Sequence, residues 1–247
     1  MKRPLLTWVS WSSGKDSAWA LLRLQKDPTV AVRGLFTTIH EGNRRASLHG
    51  TPPALLERQA AAARLPLRLI PLPDPCPLET YAEIMGRFVR GCVLEGIEAM
   101  AFGDLHLADV RRFREQGLAG TGITPLFPLW GTPAPDLARE MLAAGLEARV
   151  VCVDTRRLPA SLAGRRWDRK FLSRLPTGCD PCGENGEFHT VVTAGPMFTR
   201  PIPVRPGKII RRKGFAWAEI KLARSRRGCP GRSEAGPKRE NRPARPS

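Results

Sequence analysis

Short apolar segments alternate with amphipathic ones through the first 130 residues, and this alternation constrains the fold more than any other feature. The apolar segments predict buried strands at 5–11, 30–38, 67–71, 99–103 and 123–126. Helical patterns separate them, at 16–25, 52–64, 78–94 and 108–116. Strands that alternate with helices favour a parallel sheet covered on both faces, because a parallel neighbour is reached through a crossover helix. We therefore predict a doubly wound, mostly parallel α/β fold.

The rhythm changes in the second half of the chain. Its patterns predict helices at 135–144 and 167–175, strands at 149–154, 188–193 and 209–222, and a loop at 176–186 that is rich in Gly, Pro and Cys. This mixture indicates a smaller α+β part. The predicted units are 1–130, 131–223 and a disordered basic tail at 224–247, where large apolar residues are almost absent.

The net charge of +17 is concentrated near the C-terminus, where residues 205–247 carry 14 Lys and Arg against 3 acidic residues. Such a tail predicts weak contact with RNA or another polyanion, or a merely solubilising segment. No stretch reaches the roughly 20 apolar residues that span a bilayer. The apolar run near the N-terminus is too short for a signal peptide. We therefore expect a cytoplasmic protein that contacts no membrane, with its six cysteines reduced.

The sharpest local signal is the segment from Ser10 to Ser17, SWSSGKDS, which joins the first predicted strand to the first predicted helix. Ligands of doubly wound sheets bind at this end of the strands, where a helix N-terminus attracts phosphate. Lys15 adds positive charge, and Asp16 offers a carboxylate to Mg²⁺. It is not a Walker A loop, because Asp16 follows Lys15 where that motif has Ser or Thr. We predict a nucleotide-phosphate loop, with a plain Ser helix cap as the simpler alternative.

A second dense cluster lies at residues 179–190, with the sequence CDPCGENGEFHT. Its glycines allow tight turns and close approach to a ligand. If the segment continues as a strand, Glu187 and His189 share one face, where carboxylates could recognise an amine. A solvated hairpin is the alternative for this cluster taken alone.

The loop at 10–17 resembles the SGGxDS loop of the PP-loop ATP pyrophosphatases, an adenine nucleotide α-hydrolase superfamily. Ser13 stands where that loop usually has its first Gly, and it fits without strain only if its φ is negative. The two motifs in this order resemble the diphthine–ammonia ligase family, in the form of its bacterial relatives. The similar stretch is about 5–198. It includes His49-Gly50, Gly103-Asp104, 111–115, 124–130 and 162–165.

The resemblance implies a ligase that binds ATP and Mg²⁺ in its N-terminal part and an acceptor in its C-terminal part. The acceptor carboxylate would be adenylated with release of pyrophosphate, and ammonia would then displace AMP to form an amide. In archaeal and eukaryotic members the acceptor is diphthine, a modified histidine of elongation factor 2. For this chain we expect a small-molecule or protein-borne carboxylate, and a homodimer is compatible with the sequence.

The predicted site residues fall into three groups. Those for ATP are Ser10, Ser12, Ser13, Gly14, Lys15, Asp16, Ser17, Phe36, Thr37, Thr38, Gly103 and Asp104. Those for the acceptor are Glu184, Asn185, Gly186, Glu187, His189 and Thr190. Catalytic roles are predicted for Lys15, Asp16, Glu187 and His189, with Asp16 also a Mg²⁺ ligand. Lys15 and Asp16 are expected at a loop surface, so that substituting them stops ATP cleavage without unfolding the protein.

Two other functions are compatible with the same motifs. One is a PP-loop enzyme that modifies tRNA, favoured by the basic tail and by the Cys179/Cys182 pair, although no second CxxC completes a zinc site. The other is a sensor that binds ATP or AMP without turnover, which the departure at Ser13 favours.

Overall fold

The structure, a computed structural model, describes residues 3–42, 44–46 and 50–223. His49 and the predicted tail at 224–247 lie outside the described residues. Within the described residues, no helix is both long and apolar enough to cross a membrane.

Within the described residues, five parallel strands form the first sheet, in the order β3-β2-β1-β4-β5. The strands are β1 (Leu5–Ser10), β2 (Val30–His40), β3 (Leu67–Leu72), β4 (Ala99–Ala101) and β5 (Thr124–Leu126). The helices that follow them are α1 (Lys15–Gln25), α2 (Pro53–Ala63), α3 (Leu78–Leu94), α4 (Ala108–Leu118) and α5 (Ala134–Ala143). The predicted doubly wound α/β fold is confirmed. The order reverses between β1 and β4, so the loops that follow these two strands flank the crevice where such sheets bind ligands.

A second, antiparallel sheet follows α5. Its elements are β6 (Glu147–Asp154), a 3-10 turn (Ala160–Leu162), β7 (Arg166–Trp167), α6 (Arg169–Leu172), β8 (Phe188–Ala194), β9 (Val204–Arg212) and β10 (Phe215–Leu222). Strand β6 pairs with β7, β8 and β10, and β10 pairs with β9. The smaller α+β part is therefore as predicted in class.

Two local predictions are wrong in this second sheet. Trp167 ends strand β7 instead of starting a helix, because its backbone pairs with β6. The strand predicted at 209–222 is a hairpin of β9 and β10, whose turn contains Lys213 and Gly214 at positive φ. Consecutive positive φ values are typical of hairpin turns, and an apolar pattern that continues through a turn conceals it.

The two sheets share one buried core. A single cluster joins Val9 of β1, Leu21 of α1, Met141 of α5, Val150 of β6 and Val192 of β8. The far face of the parallel sheet has a separate cluster under α3, which includes Trp8 and Val89. The antiparallel sheet thus packs on the side of α1 and α2, and β8 lies directly over the loop that follows β1.

Candidate functional site

A cavity of about 610 Å³ opens at the carboxyl ends of β1 and β2 and is closed on its other side by α3 and α4. This volume falls within the range of about 300–1,000 Å³ usual for small-molecule sites. Its apolar walls include Phe36, Met85, Val89, Met100 and Phe102. The polar lining residues include Ser10, Ser12, Thr37, Thr38 and Arg114. An apolar slot with polar groups at the strand ends suits a planar base with an attached polar chain.

The cavity brings together part of the predicted ATP site. Ser10, Ser12, Phe36, Thr37 and Thr38 line it. The remaining loop residues, 13–17, do not line it. Ser13 instead contacts Thr51, and Lys15 contacts Thr190 of β8 and the Cys182 carbonyl.

Lys15 points away from the cavity into the interface between the sheets. Its side chain is 2% exposed. The Nζ atom donates to the Asp16 carboxylate (2.8 Å) and to the Cys182 carbonyl. It lies 5.6 Å from the ring centroids of both Trp167 and Phe188. Burial lowers the pKa of Lys15, but Asp16 and other nearby groups more than offset this, so the pKa lies above its usual value and the ammonium stays charged. The expected loop-surface position of Lys15 is wrong.

Ser13 adopts the left-handed conformation, with a φ of 70°. Such a backbone costs a non-glycine residue about 1–2 kcal/mol. Three contacts hold it. Its Oγ lies 2.8 Å from Thr51 Oγ1, and its carbonyl accepts from Gln59 Nε2 (3.0 Å) and from the Val192 N–H (2.9 Å). The departure from Gly at this position therefore brings the strain that a positive φ implies.

Gln59 and Thr190 tie the loop to its surroundings. Gln59 is fully buried, accepts from Trp11 Nε1 (2.9 Å), and donates to the carbonyls of Ser13 and Val192. Thr190 Oγ1 accepts the Lys15 N–H at the start of α1 (3.2 Å). Part of the helix N-terminus predicted to meet phosphate is therefore engaged by β8.

Gly103 allows the loop after β4 to pack against the first turn of α1. A Cβ at this position would lie 2.9 Å from the Asp16 carbonyl carbon and from the Ser17 nitrogen, both of them backbone atoms. Neither can move without shifting the whole loop. The absence of a Cβ at Gly103 is therefore required for this packing, and its predicted contact with ATP stays a prediction.

We expect Gly103→Ala to destabilise the protein by about 1–3 kcal/mol, the usual cost of overpacking, and to weaken nucleotide binding. Urea unfolding and titration with ATP measure the two effects. The matched control is Gly91→Ala in α3, where a Cβ meets nothing within 4 Å. That change should stabilise the helix by about 0.5–1 kcal/mol. Equal stability of the two variants would show that the close approach is unimportant.

Asp16 and Asp104 place two carboxylates beside the crevice. Burial raises the pKa of Asp104, Arg114 opposes the rise, and the Asp16 carboxylate adds to it. Asp104 Oδ2 is buried without a hydrogen-bond partner and lies 3.8 Å from Arg114 Nε, which also lacks one. Among the described residues, no group of three or more His, Cys, Asp or Glu could hold a metal ion by itself. One or two carboxylates with substrate phosphates are what Mg²⁺ commonly uses, so these residues fit a Mg–nucleotide.

Glu184 lies against the loop that follows β4. Its Oε1 accepts the Leu105 N–H (2.8 Å) in the loop after β4. Burial, together with the Asp16 and Asp104 carboxylates, raises its pKa to about 7, while the Leu105 hydrogen bond and Lys15 oppose the rise. The charge of Glu184 thus changes near neutral pH.

We expect Glu184→Gln to stabilise the protein at pH 8 and to leave it unchanged at pH 4. The folded-state pKa lies above its ordinary value of 4.5, so the stability from binding this proton is complete below pH 4.5 and is lost as the pH rises through about 7. Gln keeps the acceptor for Leu105 without the charge. The gain at pH 8 should be about 1–3 kcal/mol, measured by urea unfolding. The exposed Glu83→Gln should show no such pH-dependent gain, and an equal gain there would refute the assignment.

The other predicted acceptor residues point in different directions. Glu187 is 5% exposed and lies just before β8, where its Oε1 accepts from Asn185 Nδ2 (3.3 Å) and its Oε2 has no hydrogen-bond partner. Arg157 lies 3.6 Å from Glu187 and donates to the Asn185 carbonyl.

Burial and the Lys15 charge lower the pKa of His189 to about 4, so this imidazole is neutral at pH 7. Gly186 provides a turn at positive φ.

The two cysteines of the CDPC segment are protonated thiols. Burial raises the pKa of Cys179 to about 11 and that of Cys182 to about 12. Cys182 Sγ contacts the Ala134 carbonyl (3.5 Å). Redox and metal-binding cysteines act as thiolates. This pair therefore gives no support to the alternative function of a PP-loop enzyme that modifies tRNA.

Several residues of the site carry no pattern that marks them in the sequence. The cavity walls from α3 and α4, such as Tyr81, Met85 and Phe113, have the amphipathic spacing of ordinary core residues. Asp180 lies within the CDPC segment, where its buried Oδ2 has no hydrogen-bond partner and faces His106 Nε2 at 3.9 Å. The sequence signal for Asp180 was its position as a polar residue between two cysteines.

Comparison with known proteins gives one family model and several curated relatives. Residues 134–225 match the family model described as the diphthamide synthase C-terminal domain. The human diphthine–ammonia ligase is 28% identical over 136 residues, which are 53% of this chain and 51% of that protein. The rat and mouse diphthine–ammonia ligases are each 29% identical over the same extent. The chain thus spans about half the length of the curated relatives it matches.

Proposed function

We propose, from its similarity to the diphthine–ammonia ligases, that this chain is an ATP-dependent ligase that joins a carboxylate to ammonia. The proposed reaction forms an acyl adenylate with release of pyrophosphate, after which ammonia attacks the acyl carbon and AMP leaves. The observation that carries the proposal is the cavity at the ends of β1 and β2, which meets the phosphate-type loop at Ser12.

We place the adenine of ATP in the apolar slot between Phe36, Met85 and Phe102. The triphosphate would then extend past Ser12 towards the loop after β4. Arg114 is the cation that lines this cavity within the described residues. Its guanidinium lies 5.2 Å from the Phe102 ring and 5.9 Å from the Phe113 ring. The side chain is 29% exposed, and its exposed part would meet a phosphate oxygen. Arg114 takes the role first predicted for Lys15.

Asp16 and Asp104 would hold the Mg²⁺ that accompanies ATP. The ion supplies electrostatic stabilisation to the pyrophosphate as it departs. Lys15 would contribute indirectly, because its ammonium holds the Asp16 carboxylate in place through the ion pair. The protein's contribution here is a set of charges positioned before the reaction begins.

Glu184 is our candidate to take the proton from ammonium. Its pKa of about 7 matches the operating pH, which favours general-base action. Glu187, for which the sequence predicted a catalytic role, lies beside Asn185 and Arg157 and is better placed to orient the acceptor. His189 lies on β8 and is neutral, so it would act as a hydrogen-bonding group. The acceptor itself would be a small-molecule or protein-borne carboxylate.

A nucleotide sensor is the second candidate function. It is favoured by the engagement of Lys15 and of part of the α1 N-terminus with β8, which leaves fewer groups for the transition state. A sensor would bind ATP or AMP in the same cavity without cleaving it.

The test is incubation of the protein with Mg-ATP, ammonium and fractionated cell extract, with the nucleotide products resolved by phosphorus NMR. AMP and pyrophosphate that depend on one fraction and on ammonium would support the ligase. ADP and phosphate would overturn attack at the α-phosphate. ATP bound but uncleaved with every fraction would favour the sensor. Glu184→Gln is the inactive control, since Lys15 variants are expected to unfold.

We expect Arg114→Gln to weaken ATP binding about 10- to 100-fold, because hydrogen bonds to charged groups contribute about 1.5–3 kcal/mol. Binding of adenosine, which has no phosphate, should change much less. Calorimetric titration with both ligands measures the difference. The control is Arg112→Gln on the same helix, whose side chain is 67% exposed. Equal losses for ATP and adenosine would mean that Arg114 supports the cavity without contacting phosphate.

A further inference from the structure

A basic track, made up of two grooves, runs along the antiparallel sheet, outside the proposed ATP site. Two grooves of about 660 and 640 Å³ make it up. The first lies between residues 155–160 and 211–215, and the second between residues 161–166 and 206–209. The same chain segment and the same β9–β10 hairpin therefore form both grooves, one after the other.

Among the described residues, ten cationic side chains line the track against one acidic side chain. The cations are Arg149, Arg156, Arg157, Arg165, Arg166, Lys170, Arg174, Arg211, Arg212 and Lys213. The acidic residue is Asp168, whose carboxylate is engaged in capping α6 through the Phe171 N–H (2.8 Å). This charge belongs to the folded part of the chain and is separate from the basic segment at 224–247.

Several of these cations have no acidic partner. Arg156 is paired with Asp154 (2.8 Å). Within the described part of the chain, no ion pair involves Arg211, Arg212 or Lys213, and all three are exposed at the hairpin tip. Like charges held this close repel one another, so a polyanion that neutralises them is favoured.

We propose that this track binds RNA. Ten cations along two successive grooves exceed what one small anion would neutralise, whereas a nucleic acid presents a charge at every backbone step. Eight of the ten are arginines, whose planar guanidinium suits phosphate and also stacks on bases. Phe215 lines the first groove beneath the Arg156 guanidinium, 5.5 Å away, and offers a ring on which a base stacks.

The track ends beside the loop that holds the predicted acceptor residues. Arg157 lines the first groove, donates to the Asn185 carbonyl (2.9 Å) and lies 3.6 Å from Glu187 Oε1. A bound RNA would thus lie close to the predicted acceptor residues. Any role for RNA at those residues rests on the proposed function. The binding of RNA to the track does not depend on the proposed function, and its test requires no ATP.

The test is fluorescence anisotropy of a labelled RNA hairpin titrated with the full chain over a range of salt concentrations. The variant Arg211→Gln/Arg212→Gln/Lys213→Gln should bind at least about tenfold more weakly at low salt. Its slope of log affinity against log salt should be shallower by about 2–3, because each lost phosphate contact removes about 0.7–0.9. The control, Lys26→Gln/Arg33→Gln/Arg87→Gln, removes three exposed cations elsewhere and should change both quantities much less. The segment 224–247 is present in every protein and affects all alike.

Three outcomes would overturn the proposal. One is wild-type affinity and slope in the hairpin variant. Another is an equal loss in both triple variants, which would show general attraction to net charge. The last is tighter binding of poly-glutamate than of RNA, lost in the hairpin variant, which would identify an acidic protein surface as the partner. Circular dichroism of both variants checks that they are folded.

Discussion

Lys15→Ala is expected to destabilise the fold by about 3–5 kcal/mol, which is the cost of breaking a buried ion pair from one side. The substitution leaves the Asp16 carboxylate and the Cys182 carbonyl without their donor and opens a space against Trp167 and Phe188. Since domains are commonly stable by only about 5–15 kcal/mol, this loss would remove a large part of the free energy of unfolding. Urea unfolding followed by far-UV circular dichroism measures the loss.

A double variant separates the ion pair from simple packing. Lys15→Met/Asp16→Asn removes both charges and retains most of the volume. Its loss in the free energy of unfolding should therefore be smaller than the summed losses of its two single variants, by about 1 kcal/mol or more. If Lys15→Ala stays within about 1 kcal/mol of the wild type, the pair has no structural role. The consequence for enzymology is direct, because loss of ATP cleavage in a Lys15 variant cannot by itself be assigned to lost phosphate contact.

Gln59→Leu should cost about 3 kcal/mol or more and should also weaken ATP binding. The change leaves the Trp11 indole N–H without its acceptor and removes one donor each from the carbonyls of Ser13 and Val192. A buried polar group that loses its partner costs about 1–3 kcal/mol. Ser13 is the strained residue of the loop, with a φ of 70°, so its conformation depends on such contacts.

The matched comparison for this prediction is Gln25→Leu at the exposed C-terminal end of α1. It makes the same chemical change away from any buried network and should alter stability by less than about 0.5 kcal/mol. Thermal unfolding and titration with ATP should show that Gln59→Leu loses both stability and affinity. A variant that is destabilised but binds ATP as tightly as the wild type would mean that the loop keeps its conformation without Gln59.

The sequence by itself determined the fold class and where the crevice lies. Strands alternate with helices because apolar periodicity is a local property, and the five parallel strands and their helices lie close to the predicted ranges. Once β1 is followed by the SWSSGKDS loop, the rules of doubly wound sheets place that loop at the ligand-binding end. The residues that precede and line the crevice, Ser10, Ser12 and 36–38, follow from the same reasoning.

Only the tertiary structure decided where the side chains of that loop point. Lys15 turns from the cavity to the carbonyl of Cys182, which is 167 residues away in the chain. Gln59 and Arg114 reach the site from α2 and α4, and each looks in the sequence like an ordinary helix residue. Thr190, which the sequence predicted for the acceptor, instead accepts the Lys15 N–H. Glu184 and Glu187 occupy different surroundings although only two residues separate them, because the loop turns at Gly186. Periodicity encodes which face of an element is buried, whereas the partner that a polar side chain meets there depends on contacts distant in sequence.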